Sequence, residues 1–177
     1  AMIDGVYQPH YEHFGEYFGS TIAGFFSDEP NFANDSGDFH STFGKEGMLF
    51  PWRDDLPERI SAGSGLNRER VISLLPAFWH GIKSRDVPAL RTAYMDAVTM
   101  AVRENFSFQL GNWCREHGVM YIGHVIEDME THMRLGLGLG HFFRALDGQD
   151  MAGCDVVIQQ IIPGLADIDH TSQLFGG

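Results

Sequence analysis

Cysteine is scarce: Cys114 and Cys154 are the only two in 177 residues. They lie far apart in dissimilar surroundings, which excludes a disulfide framework and a CxxC metal site. Both read as buried thiols. Basic residues are also few, 12 against 24 acidic ones, for a net charge of −12. Phosphate backbones need a cationic surface, so nucleic acid is excluded as the expected partner. Long apolar runs are missing too. The stretch from Leu74 to Trp79 falls far short of the roughly 20 residues that cross a bilayer, and no membrane span is expected. Nor do Ala1-Met2-Ile3-Asp4 and the residues after them form a charged region followed by an apolar one, so no signal peptide is legible.

What is present suffices for one packed core, with 44% hydrophobic residues. Tyr11, Phe14, Tyr17 and Phe18 follow helical spacing, and Gly19 offers a stop. Thr21 to Phe26 is a continuous apolar run too short for a helix. It reads as a strand buried on both faces, ending in Ser27-Asp28-Glu29-Pro30. Asn31 to Gly65, rich in Asn, Asp, Ser, Gly and Pro, reads as one long loop. Helices are expected over Leu66 to Ile82, with Pro76 as a possible kink, and over Pro88 to His117. In the latter, Leu90, Ala93, Tyr94, Ala97, Val98, Ala101 and Val102 recur at spacings of three and four. A second buried strand, Val119 to His124, a glycine-diluted helix, Met133 to Leu146, and a third strand, Ala152 to Gln159, complete the order. Apolar strands alternating with helices imply parallel pairing, so the expected class is α/β.

The chemistry collects at the strand ends. In parallel α/β folds, ligand-facing groups sit at the carboxyl ends of strands, where Asp28 and Glu29 close the first strand and His124 and Glu127 follow the second. Asp-Glu-Pro is also good turn chemistry. Two carboxylates on one rim match glycosidic cleavage, with an acid for the leaving oxygen and a base or nucleophile opposite. Trp52, in Phe50-Pro51-Trp52, offers an aromatic platform for a sugar ring, or packs under its own loop. The competing reading is a metal-dependent hydrolase using His124, Asp128 and His132, which recur at helical spacing. It ranks second, because HExxH is absent and Met129 stands where a Glu-x-x-His pair needs its acid. Gly136-Leu137-Gly138-Leu139-Gly140 fails as GxGxxG, since His141 follows, and no GxSxG elbow is present.

Several motifs in fixed order carry a family resemblance. They are Ala23-Gly24-Phe25-Phe26-Ser27-Asp28-Glu29-Pro30, Phe50-Pro51-Trp52 with Leu56-Pro57, Leu74-Leu75-Pro76-Ala77-Phe78, Gln109-Leu110-Gly111-Asn112-Trp113-Cys114 with His117-Gly118, and Gly123-His124 with Glu127. Together they resemble the central part of bacterial α-L-rhamnosidases of glycoside hydrolase family 106. The resemblance implies that residues 1–177 are a single segment of a larger (β/α)8 TIM-barrel catalytic domain, continuing at both ends, with about three parallel strands and flanking helices. It implies removal of terminal rhamnose from plant polysaccharides or glycosides with inversion. No cofactor or metal is expected. Glu29 would match the general acid and Glu127 the carboxylate that activates water, with Glu130 as the alternative. Asp28, Trp52 and His124 would bind the carbohydrate substrate. Where the family contributes a further acid beyond the next strand, this chain reads Gln159-Gln160-Ile161-Ile162-Pro163. A non-catalytic carbohydrate-binding or assembly module is the remaining alternative. The open sheet edges of such a segment lead to an expectation of self-association, or of completion by the rest of a longer polypeptide.

Overall fold

The computed structural model describes residues 1–28, 30, 43–124 and 140–153. A π turn, Ile3–Tyr7, leads into helix α1 (Gln8–Phe14), and strand β1 (Gly24–Ser27) follows. Next come α2 (Leu56–Ser64), α3 (Arg68–Leu74), α4 (Val87–Val102), α5 (Phe108–Glu116) and β2 (Met120–Gly123). Helix α6 (Phe142–Leu146) and the two-residue strand β3 (Met151–Ala152) close the described order. Among these elements, no helix is long and apolar enough to cross a membrane.

The class is α/β, as the alternation of strands and helices requires. β1 and β2 pair in parallel with Gly24 opposite Met120 and Ser27 opposite Gly123, and β3 pairs in parallel on the other edge of β2. The strands are shorter than their apolar runs. β1 and β2 keep four residues each and β3 has two, so the described residues form a small parallel sheet. The third expected strand lies outside the described residues from position 154 onward, as does the predicted helix before position 140.

Other expectations are corrected by local chemistry. Inside the predicted loop Asn31 to Gly65 stands α2, started by Pro57 in its first turn, where a missing N–H costs nothing, and ended by Gly65 in the left-handed region. The predicted helix Leu66 to Ile82 is α3 followed by a 3-10 turn, Leu75–Phe78. Asn67 caps α3 by accepting the Arg70 N–H, and Pro76 cannot supply the next helical donor. Pro88 to His117 is helical but not uniform: a π turn, Arg103–Ser107, joins α4 to α5. β1 is not buried on both faces, because Phe26 is 59% exposed.

Two apolar clusters hold the chain together. In the first, Leu56 and Ile60 of α2, Val71 and Leu74 of α3, and Leu90, Tyr94 and Val98 of α4 pack around Phe78. The segment before α2 is tied to it, with the Trp79 indole N–H donating to the Met48 carbonyl (2.6 Å) and the Tyr94 hydroxyl to the Pro51 carbonyl (2.7 Å). The second cluster covers one face of the sheet. Phe25 stacks on Tyr7 at 4.3 Å, and Tyr121 is buried beside Leu110, Trp113 and Cys114. Gly118, at φ 71°, makes the left-handed turn from α5 into β2.

Burial in this second cluster pushes the Cys114 thiol up to about 12, with the Asp150 carboxylate adding to the effect. At pH 8 its thiolate is about 10³ times scarcer than in an unfolded chain. In a Cys154→Ser background, Ellman's reagent is therefore expected to label native Cys114 at least 10²-fold more slowly than in urea, the rate being set by opening of the fold. Equal rates in native and denaturing buffer would contradict this packing.

Candidate functional site

The carboxyl ends of β1 and β2 open on one rim. Because Ser27 is aligned with Gly123, the residues that follow, Asp28 and His124, are neighbours across the strands. His124 Nε2 lies 2.8 Å from Asp28 Oδ1. A carboxylate accepts only, so this ring nitrogen carries the proton. The two ends of the pair differ in solvent access: the His124 side chain is 8% exposed and that of Asp28 is 75% exposed.

The layer beneath fixes the pair. Ser27 Oγ and the Tyr121 hydroxyl are 2.9 Å apart in a buried hydrogen bond. Burial raises the Tyr121 hydroxyl above its ordinary range, so it stays protonated at neutral pH. On the far edge of β2, Asp150 accepts the Tyr121 N–H (2.8 Å), and Arg115 holds Asp150 at 2.9 Å. The Gly153 N–H then donates to the Gly123 carbonyl at 2.7 Å. Gly123 itself admits no side chain: a Cβ there would overlap the Ser27 carbonyl oxygen and lie 2.6 Å from Ser27 Oγ. This close approach lets the rim residues meet.

Side chains alternate across the sheet, so Phe25, Ser27 and Tyr121 face the helices while Phe26, Asp28 and His124 face the other way. The Phe26 and His124 rings are 5.7 Å apart, consistent with that placement. On this second face Phe26, Met120 and Met151 are all exposed.

Trp52 is placed elsewhere. It is 49% exposed and lines an apolar pocket of about 250 Å³ with Leu56, Val98, Val102 and Phe106. Phe106 meets the Tyr121 ring at 6.3 Å, on the sheet face opposite His124. Arg53, which also lines the pocket, pairs with Asp55 at 2.9 Å, and Arg59 spans Asp55 and Glu104, each at 2.8 Å. The Arg59 guanidinium holds both carboxyls below the usual carboxylate range. These charges satisfy one another beside a pocket lined mostly by apolar residues.

Of the expected site residues, then, Asp28 and His124 are brought together and Trp52 belongs to a separate pocket. Glu29 and Glu127 lie outside the described residues, as do Asp128 and His132 of the metal reading. Among the described residues, no three His, Cys, Asp or Glu side chains are grouped to hold a metal. Sequence reasoning passed over Ser27, Tyr121 and Phe26. The available signal was parity, since Phe26 and Asp28 share a face of one strand. Comparison with known proteins adds no identification: no family model, no curated protein and no solved structure matches this chain.

Proposed function

We propose that this chain is part of the catalytic barrel of a glycoside hydrolase similar to the α-L-rhamnosidases of family 106. The observation that carries the reading is the rim pair, an exposed carboxylate bonded to a buried imidazole at the carboxyl ends of adjacent parallel strands. Ligand-facing groups of (β/α)8 enzymes occupy that position. Further support comes from the sheet's two unlike faces. Helices cover one, while Phe26, Met120 and Met151 leave the other open, although parallel sheets are normally buried on both sides. The interior of a closed barrel would bury that second face.

On this reading Glu29 protonates the departing glycosidic oxygen, and Glu127 takes a proton from the water attacking the opposite side of the sugar, inverting the anomeric centre. Asp28 and its surroundings hold the sugar in place. The test is turnover of 4-nitrophenyl α-L-rhamnopyranoside by the complete polypeptide encoded by this reading frame. Release of nitrophenol, with the β-anomer of rhamnose appearing first by NMR, is the expected result. The absence of hydrolysis of this substrate and of a panel of aryl glycosides would overturn the proposal.

A further inference from the structure

The rim contains a second feature beside the carboxylate. Phe26, two residues before Asp28 on the same strand face, is 59% exposed, and its ring lies 5.7 Å from that of His124. An aromatic face open to solvent thus adjoins an exposed acceptor that is anchored from behind. Each part has a distinct physical task. The ring offers apolar surface to the C–H face of a pyranose. The carboxylate accepts from hydroxyl donors, giving hydrogen bonds roughly twice as strong as neutral ones. The imidazole, already bonded to Asp28 Oδ1 and nine-tenths buried, restrains a short side chain that would otherwise sample several rotamers.

We propose that Phe26 and Asp28 form a monosaccharide subsite, in which the sugar ring lies on Phe26 and a pair of its hydroxyls donates to Asp28. His124 acts through Asp28 as a positioning residue and is not itself a contact of the sugar. The aromatic platform is therefore Phe26, at the rim, and not Trp52, whose pocket opens on the other side of the sheet. The ligand class is a neutral hexose or deoxyhexose with adjacent hydroxyls. This assignment rests on the carbohydrate reading for its ligand and on geometry alone for its residues.

Two measurements on the complete polypeptide test it separately. In the first, L-rhamnose binding is titrated by calorimetry for the wild type and four variants. Asp28→Asn and Phe26→Ala are each expected to weaken binding by about 10-fold or more. His124→Ala should match Asp28→Asn, and His124→Gln, whose amide keeps an N–H donor at the same reach, should recover affinity to within about 3-fold of wild type. In the second, ¹⁵N-histidine NMR reads the His124 ring, assigned by its loss in His124→Gln. A proton on Nε2, shifted by Asp28→Asn, is the expected signature. Rhamnose binding that ignores Asp28 and Phe26 overturns the subsite while sparing the glycosidase reading. An unchanged His124 resonance in Asp28→Asn, or failure of the Gln variant to recover affinity, overturns the positioning role. If no monosaccharide binds the wild type while the NMR signature holds, the carbohydrate reading and the subsite fall together and the pair is purely structural.

Discussion

Gly123→Ala is expected to destabilise the chain by about 3 kcal/mol, a large effect for one methyl group. The added carbon would overlap the Ser27 carbonyl oxygen and stand 2.6 Å from Ser27 Oγ, both on a strand whose backbone is committed to pairing with β2. A flexible side chain could swing away, but a paired carbonyl cannot. Relief requires β1 to withdraw from β2, which strains the buried Ser27–Tyr121 bond and separates Asp28 from His124. Gly5→Ala is the control, because nothing lies within 4 Å of a Cβ at that position and its turn is helical. That substitution should be neutral or stabilise by about 0.5 kcal/mol. Urea unfolding of the two variants beside wild type measures the contrast, and a Gly123→Ala midpoint equal to wild type would disprove the packing described for β1 and β2.

The second large effect concerns chemistry. On the proposed glycosidase reading, Glu29→Gln in the complete polypeptide is expected to lower turnover of an alkyl α-L-rhamnoside by about 10² to 10⁴ while leaving the unfolding midpoint unchanged. The amide has the shape of the acid and no proton to give the departing oxygen. A 2,4-dinitrophenyl rhamnoside releases a stable phenolate that needs little protonation, so its hydrolysis should fall far less. Leaving-group dependence separates a general acid from a substrate ligand, which would affect both substrates alike. Equal losses on the two would assign the acid elsewhere and reduce Glu29 to a binding residue.

Legibility in the sequence followed the range of the interaction. α4 and the helix after it were readable because their apolar positions repeat within a few residues, a period that one face of a helix imposes. β1 and β2 were readable as short apolar runs, although pairing trimmed both. α2 was hidden because Pro57, Gly63 and its serines resemble loop chemistry, while only Leu56 and Ile60 add aliphatic side chains to its buried face. At the rim, both strand ends could be seen but the bond between them could not. Asp28 and His124 are 96 positions apart, and no local pattern encodes that meeting. Trp52 shows the same limit, since its place beside Pro51 and Arg53 suggested a platform without saying that it would line a pocket with Leu56, Val98 and Phe106.

The same separation governs how the protein is made. β1 emerges from the ribosome with Phe25 and Phe26 and must wait for a partner encoded 96 residues later. At ordinary elongation rates that delay is roughly 5 to 20 s. Meanwhile α2, α3 and α4 can assemble their own cluster from contacts contained within residues 56–98. The newborn chain thus carries a finished helical knot and an unpaired aromatic strand at once. Through that interval, the segment destined for the rim is open to holdase chaperones and to pairing with neighbouring chains on the same message.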